Sequence, residues 1–350
     1  LLIGSNHHGR IQTSSHTGRK SASYLVFCSG LNHHVEAVSP ATLFLAFIRL
    51  LQALTTTRFK ERVFVLTLRS NAHLAGLCGL SRTARHDSRT LPLASIEIDS
   101  TLSRLSDCSE MLSLAMRPLD GENEVVVSRG KQPCAARLRH VQYFAENPNA
   151  TSNQHADGTH VITGGTGGLA LMLAKWLVHG ASPRRVLLVS RSATLSDANA
   201  SELGTSVSAV KCDVSAEADA SCMIGEVCSG SRLKKSPFSI WHAAGVVRDG
   251  ILAGQTAHSL VHVLAPKANG AYALHSLTAP LPVETAALYS SIVALFGLPG
   301  QANYAAANTV LDALAYSRRA MGQPATSVQW GPWAEVGMAT QAAAQHNMAT

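Results

Sequence analysis

Short apolar stretches alternate with helical segments along the second half of the chain. Strand-like stretches lie at 160–163, 185–190, 208–211, 239–243, 287–290 and 326–330. The segments between them have helical spacing, most clearly at 169–179 and 302–321. Strands that alternate with helices pair in parallel, because each connection has to cross the sheet. The pattern predicts an α/β fold with a doubly wound parallel sheet.

The first half shows a weaker version of the same alternation. Strands are predicted at 23–27, 62–68 and 93–98, and helices at 39–54 and 72–84. Ser39 is the candidate N-cap of the first helix. Runs at 124–129 and 133–139 predict a closing hairpin around Gly130. We expect this half to be a smaller α/β unit on the same plan, and no catalytic motif is visible in it.

Changes of composition suggest the domain boundaries. Residues 1–21 are rich in Ser, His, Gly and basic residues, which is typical of a disordered tail or a divergent linker. The clearest linker is the polar run at 147–158. We therefore expect a structural subdomain at 22–150, a main domain at 157–339 and an unfinished segment at 340–350. Because the chain starts with Leu and stops without a finished element, we interpret it as an internal fragment of a longer polypeptide.

Composition narrows the class of protein. Hydrophobic residues make up 46% and charged residues 15%, which is typical of a globular protein with a large core. The net charge of +7 comes mainly from residues 1–150, but no basic stripe is interleaved with aromatics, so a nucleic-acid partner is not expected. Seven cysteines form no CxxC pair, which favours a reducing compartment such as the cytoplasm, with an organelle as the alternative. We expect no membrane span and no metal site.

A glycine-rich loop follows the first strand of the second half and opens a helix. Gly165, Gly167 and Ala170 fit the pattern GxGxxG/A in the required strand–loop–helix context. The first Gly permits a tight turn, the second lets the backbone approach a pyrophosphate, and the third position packs the helix on the strand. The pattern predicts a Rossmann dinucleotide site at the helix N-terminus. A plain turn is the alternative interpretation.

The next two strand ends bear on which dinucleotide is bound. Ser190 and Arg191 end the second strand, where an NAD-preferring site carries an acidic residue. A hydroxyl and a guanidinium suit a 2′-phosphate, so NADPH is favoured over NADH. The alternative for Arg191 is a solvated loop charge. Asp213 ends the third strand, where it either bonds the adenine amine or caps the next helix.

A second group of residues has the chemistry of proton transfer. Tyr304 and Asn308 are four residues apart in a predicted helix and share a face, while Ser291 lies at the carboxyl end of a predicted strand. A phenol with a pKa near 10 needs a cation to lower that pKa before it works well at neutral pH. Common short-chain dehydrogenases place a Lys at the position of Asn308. Lys267, in a helix that we expect to begin near Pro266, supplies the cation if the two have exchanged places.

These segments together resemble the ketoreductase domain of polyketide synthases and animal-type fatty acid synthases, within the short-chain dehydrogenase/reductase superfamily. The matching segments are 163–168, 241–245, 265–267, 290–291, 300–308 and 330–333. Upstream, 77–85 and 96–99 resemble the truncated, Rossmann-like structural subdomain that precedes such domains. The resemblance spans 22–339 and is dense over 159–339.

The resemblance implies a role for each matching residue. Tyr304 would donate a proton to the forming alkoxide, and Ser291 would hold the substrate carbonyl oxygen. Lys267 would lower the pKa of Tyr304, and Asn308 would support a relay water. NADPH would be bound by Thr163, Gly164, Gly165, Gly167, Gly168, Leu169, Ser190, Arg191, Asp213, Val214, Ala243, Ala244 and Gly245.

The chain departs from the family at two positions tied to product stereochemistry. In place of the Leu-Asp-Asp signature it has Val247-Arg248-Asp249, so only Asp249 matches. The Trp that marks the opposite class is replaced by Phe296. This combination favours the D-configured alcohol.

The expected function is NADPH-dependent reduction of a β-ketoacyl thioester to the β-hydroxyacyl thioester. The partners would be an acyl carrier protein, with the substrate on its phosphopantetheine arm, and other synthase domains of the same polypeptide. The alternative is a catalytically inactive scaffold domain that still binds nucleotide, a reading prompted by Ala170 in the loop and by the missing lid region. A free-standing dehydrogenase is disfavoured by Asn308 and by the attached subdomain.

Overall fold

The structure of the chain is a computed structural model. It describes residues 2–3, 24–28, 39–68, 71–98, 122–127, 133–140, 158–179, 185–229 and 237–333. Apart from Gly158, the predicted linker at 147–158 lies outside the described residues, as does everything beyond Trp333. The chain divides into two compact units. The first comprises Leu1–Arg139, Arg248–Val261 and Val293–Ala313, and the second comprises His140–Val247, His262–Ile292 and Leu314–Thr350.

The first unit contains a five-stranded sheet in which every pairing is parallel. Its strands follow chain order and are β1 (Leu2–Ile3), β2 (Tyr24–Cys28), β3 (Arg62–Leu68), β4 (Leu93–Ile98) and β5 (Glu124–Val127). The two residues of β1 fall within the predicted tail, and the rest of 1–21 lies outside the described residues. The predicted strand at 133–139 is wrong, because only a single antiparallel bridge joins Val126 to Cys134. Pro133 has no N–H with which to extend that ladder.

Two long helices accompany this sheet, α1 (Pro40–Thr56) and α2 (Ala72–Asp87). The predicted cap of α1 is confirmed, since the Ser39 hydroxyl accepts a hydrogen bond from the Thr42 N–H at 3.2 Å. Gly76 of α2 lies against the ring of Phe44 in α1, and a Cβ at this glycine would come within 2.2 Å of the ring. The absence of a side chain at Gly76 therefore allows the two helices to pack closely.

The second unit contains a six-stranded parallel sheet. Its strand order is β11-β10-β9-β6-β7-β8, and the strands are β6 (Thr159–Thr163), β7 (Arg185–Ser190), β8 (Val207–Lys211), β9 (Phe238–His242), β10 (Val283–Ser291) and β11 (Thr326–Trp330). The order reverses between β6 and β9, which is the switch point at which doubly wound sheets bind ligands. The predicted fold class is therefore confirmed.

Both faces of this sheet are covered by helices, which are α3 (Gly168–Val178), α4 (Asp197–Leu203), α5 (Glu217–Ser229) and α7 (Gly270–Thr278). Alternate residues of β7 point to opposite faces of the sheet, as the pleat of a strand requires. Leu187 and Val189 belong to the core cluster that includes Met223 of α5. Leu188 belongs to the opposite cluster, with Ala170 of α3.

Lys267 lies within one continuous helical run and not near a helix start. Helix α6 (Ala257–Leu264) passes through a π-helical turn (Ala265–Asn269) directly into α7. The expectation that a helix begins near Pro266 is therefore wrong. Proline cannot donate to the helical ladder, and within this turn the N–H of Gly270 reaches the carbonyl of Ala265, five residues back.

The remaining helical elements are a 3₁₀ turn (Leu252–Gly254), α8 (Val293–Phe296) and α9 (Ala302–Ala320). Within the described residues, no helix combines the length and the apolar character needed to cross a bilayer.

Candidate functional site

The glycine loop begins with a turn that requires glycine at its first position. Gly164 has a φ of +67°, in the left-handed region that side chains rarely adopt, and its carbonyl accepts a hydrogen bond from the Gly167 N–H at 2.9 Å. A Cβ at Gly164 would also lie 2.8 Å from the carbonyl oxygen of Ala243. The residue that permits the tight turn is therefore Gly164, and not Gly165 as the motif alignment implied.

Gly165 is a glycine for a different reason. Its N–H donates to the carbonyl of Val189 in β7 at 3.0 Å, which holds the loop against that strand. A Cβ here would approach the backbone of Leu188 and Val189 to 2.7 Å, closer than real contacts allow. The loop can lie on β7 only if this position has no side chain.

The start of α3 provides the donors that a pyrophosphate requires. The N-cap is Gly167, which has no side chain. The first N–H groups of the helix are therefore not capped by a side chain of this residue. Ala170 is 1% exposed and packs in the cluster with Ile162 and Leu188. Ala170 therefore lets the helix pack closely on the sheet, as the third position of the motif requires. The residues present fit a dinucleotide.

The ends of β7 and β8 carry the residues predicted to contact the adenosine half. Ser190 accepts a hydrogen bond from the Ala193 N–H at 3.0 Å, and Arg191 is exposed. The carboxylate of Asp213 accepts from the N–H and the hydroxyl of Ser215 at 3.0 and 2.6 Å. These bonds lower the pKa of Asp213, and the charge of Arg191 lowers it further. Asp213 thus forms a turn with Ser215, two residues before α5 begins at Glu217.

A chain of buried hydrogen bonds joins the loop to the segment that carries Lys267. The Ala244 N–H donates to the Thr163 hydroxyl at 3.3 Å, and that hydroxyl lies 2.8 Å from Nδ1 of His242. Nε2 of His242 donates to the carbonyl of Lys267 at 2.8 Å. Because Nε2 carries the proton, Nδ1 accepts from Thr163. The ends of β6 and β9 therefore fix the π-helical turn.

The electrostatics of His242 agree with this arrangement. Burial lowers the pKa of His242 to about 4, the hydrogen bond to the Lys267 carbonyl opposes the fall, and the Lys267 charge adds to it. Gly270 makes room for the ring, since a Cβ there would lie 3.2 Å from Cε1 of His242. His242 is neutral at physiological pH and serves as a fixed donor and acceptor.

Lys267 has a buried ammonium group at the same sheet edge. The side chain is 3% exposed, and Nζ donates to the carbonyl of Tyr289 in β10 at 2.6 Å. A Cβ at Gly245, just beyond β9, would lie 3.6 Å from Nζ. The ammonium is thus placed beside the segment 243–245, which the sequence predicted to bind the cofactor. Ser291, the last residue of β10, is buried at the carboxyl end of the same sheet and pairs in register with Trp330.

Tyr304 and Asn308 lie in α9, in the part of that helix that belongs to the first unit. The Asn308 amide donates to the Tyr304 carbonyl at 2.8 Å. Burial raises the pKa of Tyr304, the Asn308 side chain lowers it and Asp249 raises it, and the net direction is upward. The sequence argument expected a cation to lower this pKa, but burial of the phenol dominates. The phenol is protonated at neutral pH, which is the state that donates a proton.

Comparison with known proteins identifies the family. The family model of the KR (ketoreductase) domain matches residues 158–335, just over half of the chain. The chain belongs to the KR domain family. Among curated proteins, the chain is 37% identical over 273 residues to chalcone synthase cfoA of Aspergillus candidus, covering 76% of this chain and 10% of that protein. It is 41% identical over 192 residues to polyketide synthase GfsB of Streptomyces halstedii, covering 53% and 3%. It therefore spans a tenth or less of the length of either.

Solved structures match most of the chain. The structure of A-type ketoreductases from a modular polyketide synthase has a TM-score of 0.76 at 28% identity, and 89% of this chain aligns with 67% of that one. A C2-type ketoreductase from a modular polyketide synthase has a TM-score of 0.75 at 25% identity, with 89% and 69% aligned. The resemblance inferred from the motifs is confirmed. Because both types score alike, the fold does not separate A-type from C2-type ketoreductases.

The two positions that the resemblance ties to product stereochemistry, Asp249 and Phe296, lie in the first unit. The side-chain amide of Gln301 donates to both carboxylate oxygens of Asp249, at 3.1 and 3.2 Å. Phe296 ends α8 and is 51% exposed.

Sequence reasoning missed two residues of the KR domain that organise these sites. His242 lies inside the quoted segment 241–245, but nothing local revealed that its ring holds the Lys267 carbonyl. Asn303 is buried next to Tyr304, where its side-chain Oδ1 accepts from the Tyr304 N–H at 2.7 Å and its side-chain Nδ2 donates to the Arg248 carbonyl at 2.9 Å. The sequence signal for Asn303 was an amide side chain next to a tyrosine at the start of a predicted helix.

Proposed function

We propose that this KR domain reduces a β-ketoacyl thioester to a β-hydroxyacyl thioester with NADPH. The observation that carries the proposal is the buried ammonium of Lys267 beside the segment 243–245 at the switch point of the sheet. Burying a charge is costly, so a charge held at a nucleotide-binding edge indicates chemistry more than stability. The matches to ketoreductases of polyketide synthases support the same reaction.

The loop residues and strand ends would hold the cofactor. The backbone from Thr163 to Leu169 would bind the pyrophosphate, and Ser190 with Arg191 would bind the 2′-phosphate. Asp213 and Val214 would lie against the adenine, and residues 243–245 would lie beside the nicotinamide half. NADPH, when bound, supplies a hydride from its nicotinamide ring.

The remaining residues would handle the substrate oxygen and its proton. The Ser291 hydroxyl would donate a hydrogen bond to the ketone oxygen and stabilise the charge that develops there. Tyr304 would give its phenolic proton to that oxygen. Lys267 would stabilise the resulting tyrosinate, and Asn308 would support the water that returns the proton. We further propose that Asp249 and Phe296 select the face of the ketone, in favour of the D-configured alcohol.

The substrate carrier would be an acyl carrier protein of the same synthase. The relatives of which this chain spans a small part include polyketide synthases, which supports a place in a multidomain protein. The acyl group would be attached to a phosphopantetheine arm.

The proposal is tested by turnover of a soluble β-ketoacyl thioester mimic. We expect wild type to consume NADPH, and Tyr304→Phe to lower kcat by about a hundredfold or more because the proton donor is lost. The measurement is the loss of NADPH absorbance together with chromatography of the alcohol.

The control is Tyr316→Phe, which removes the hydroxyl of an exposed tyrosine in the same helix and should leave kcat unchanged. Equal rates in wild type and Tyr304→Phe would contradict the proposed acid. Tight NADPH binding without turnover in wild type would favour the inactive scaffold.

A further inference from the structure

Asp87 occupies a position that local helix electrostatics disfavour. It is the last residue of α2, where the helix dipole presents its negative end. The neighbouring Arg85 carries the sign that suits this end, and Asp87 does not. A residue that breaks a local rule generally has a tertiary reason for being there.

The reason is a pair of backbone hydrogen bonds to two segments far away in the sequence. One carboxylate oxygen of Asp87 accepts from the Leu252 N–H at 2.8 Å, and the other accepts from the Gly300 N–H at 2.8 Å. The two segments also bond directly, because the Gly250 N–H donates to the Gly300 carbonyl at 2.8 Å. Gly300 has a φ of +78°, which a residue with a side chain rarely adopts. A single carboxylate thus joins the two segments.

Other side chains of α1 and α2 hold the same two segments. Gln52 of α1 donates to the carbonyls of Leu252 and Gln255 at 2.9 and 3.1 Å. Nε2 of His86 in α2 lies 2.9 Å from the carbonyl of Phe296. Asp87 differs from these contacts because it alone of the three binds both segments through one group.

The segments joined by Asp87 carry the positions that we assigned to stereochemistry. Asp249 and Ile251 flank Gly250, and Phe296 and Gln301 flank the segment around Gly300. Ile251 and Phe296 are 62% and 51% exposed, so these segments present large apolar side chains as well as a carboxylate. A shift of one segment against the other would change the surface that orients an acyl chain.

We propose that Asp87 is a positioning residue that sets the stereochemical outcome by holding these two segments in register. The inference rests on the proposed function. It gives the small first sheet and its helices a part in specificity, through a group that touches neither substrate nor cofactor. Two charge-assisted hydrogen bonds supply the restraint.

The test compares Asp87→Ala and Asp87→Asn with wild type, using a β-ketoacyl thioester mimic and NADPH. We expect Asp87→Ala to lower the ratio of major to minor alcohol by about tenfold, because small displacements of positioning groups have large kinetic effects. The affinity for NADPH should stay the same. Asp87→Asn should be intermediate, since its amide oxygen can accept only one of the two bonds. Chiral chromatography and a KM-against-kcat comparison give the readouts.

Ser39→Ala is the matched control, because it removes the cap of α1 in the same unit without touching either segment. It should lower stability and leave the alcohol ratio unchanged. A folded Asp87→Ala protein with the wild-type alcohol ratio would overturn the inference.

A second measurement separates this inference from the proposed function. Hydrogen exchange at the Leu252 and Gly300 amides should speed up in Asp87→Ala and not in Ser39→Ala, whether or not the wild type turns over substrate. Unchanged exchange at both amides would overturn the inference by itself. Absence of turnover in wild type, with faster exchange in Asp87→Ala, would count against the proposed function alone.

Discussion

At the scale of single residues, the two positions on which the proposals rest both violate ordinary preferences. Lys267 is a lysine with almost no exposed surface, and the charge is offset by the Tyr289 carbonyl at 2.6 Å. Asp87 is an acid at the wrong end of a helix. A hydrogen bond with a charged donor or a charged acceptor is worth more than a neutral one, which is how such residues are tolerated. Neither violation is visible from composition.

Arg191 gives the sharpest residue-scale prediction. Replacing Arg191 by Ala should weaken NADPH binding by about ten- to a hundredfold, because one charged hydrogen-bonding group to the 2′-phosphate is lost. NADH lacks that phosphate, so its affinity should hardly change. Fluorescence titration of both dinucleotides provides the measurement.

Arg185 at the other end of β7 offers a matched control, since it is also exposed. Arg185→Ala should leave both affinities unchanged. An equal loss of affinity for NADPH and for NADH in Arg191→Ala would show that Arg191 does not bind the 2′-phosphate.

At the scale of elements, the loop between β6 and α3 divides its glycine requirements among neighbours. Gly164 provides the left-handed turn, whereas Gly165 provides the close approach to β7. A motif alignment assigns one role per glycine and cannot tell which backbone atoms lie next to each. The position of the loop is therefore a property of the sheet beneath it.

Substituting Gly165 tests that division. Gly165→Ala places a Cβ against the backbone of β7, which cannot move aside, so the loop must lift. We expect a loss of about 1–3 kcal/mol in the free energy of unfolding, as for other overpacked sites. We also expect NADPH affinity to fall by about tenfold or more as phosphate hydrogen bonds are lost. Denaturant titration and calorimetry measure the two effects.

Gly225→Ala is the matched control, because Gly225 lies inside α5 and a Cβ there meets nothing within 4 Å. It should raise stability by about 0.5–1 kcal/mol, since Ala favours a helix over Gly. Wild-type stability and NADPH affinity in Gly165→Ala would mean that the loop does not lie on β7.

The sequence predicted several elements to the residue and missed others for identifiable reasons. The strands at 62–68, 93–98, 185–190 and 326–330 have the predicted bounds, because apolar β-branched runs bounded by polar residues are local signals. The helix start near Pro266 was wrong because Pro is ordinarily a first-turn residue. Here the π-helical turn is held by His242, a contact that no local pattern encodes.

At the scale of the whole molecule, His242 links a buried network to the pH dependence of folding. Its pKa is about 4 in the folded state against an ordinary 6.5, so the unfolded chain binds a proton that the folded protein excludes. Above pH 6.5 His242 is neutral in both states, and its full contribution to the free energy of unfolding is present. As the pH falls from 6.5 through about 4, the free energy of unfolding decreases by about 1.4 kcal/mol per pH unit.

The prediction compares wild type with His242→Gln in denaturant titrations at a series of pH values. The Gln variant should be less stable at neutral pH, because one buried group loses its partner. The difference between the two proteins should shrink as the pH falls through the window.

His258→Gln, at an exposed histidine, is the control and should follow the wild-type profile. A difference between wild type and His242→Gln that stays constant across the window would contradict the assigned neutral state.

The sequence by itself determined the alternation of strands and helices, the glycine loop and the residue types from which the family could be inferred. These are local properties, because residues close together in the sequence set strand and helix periodicity and turn chemistry. Only the tertiary structure decided that Gly164 makes the turn, that His242 holds the Lys267 carbonyl and that Asp87 joins the segments around Leu252 and Gly300. Each of these contacts ends on a backbone atom of a distant segment, and backbone atoms are the same at every position of a sequence.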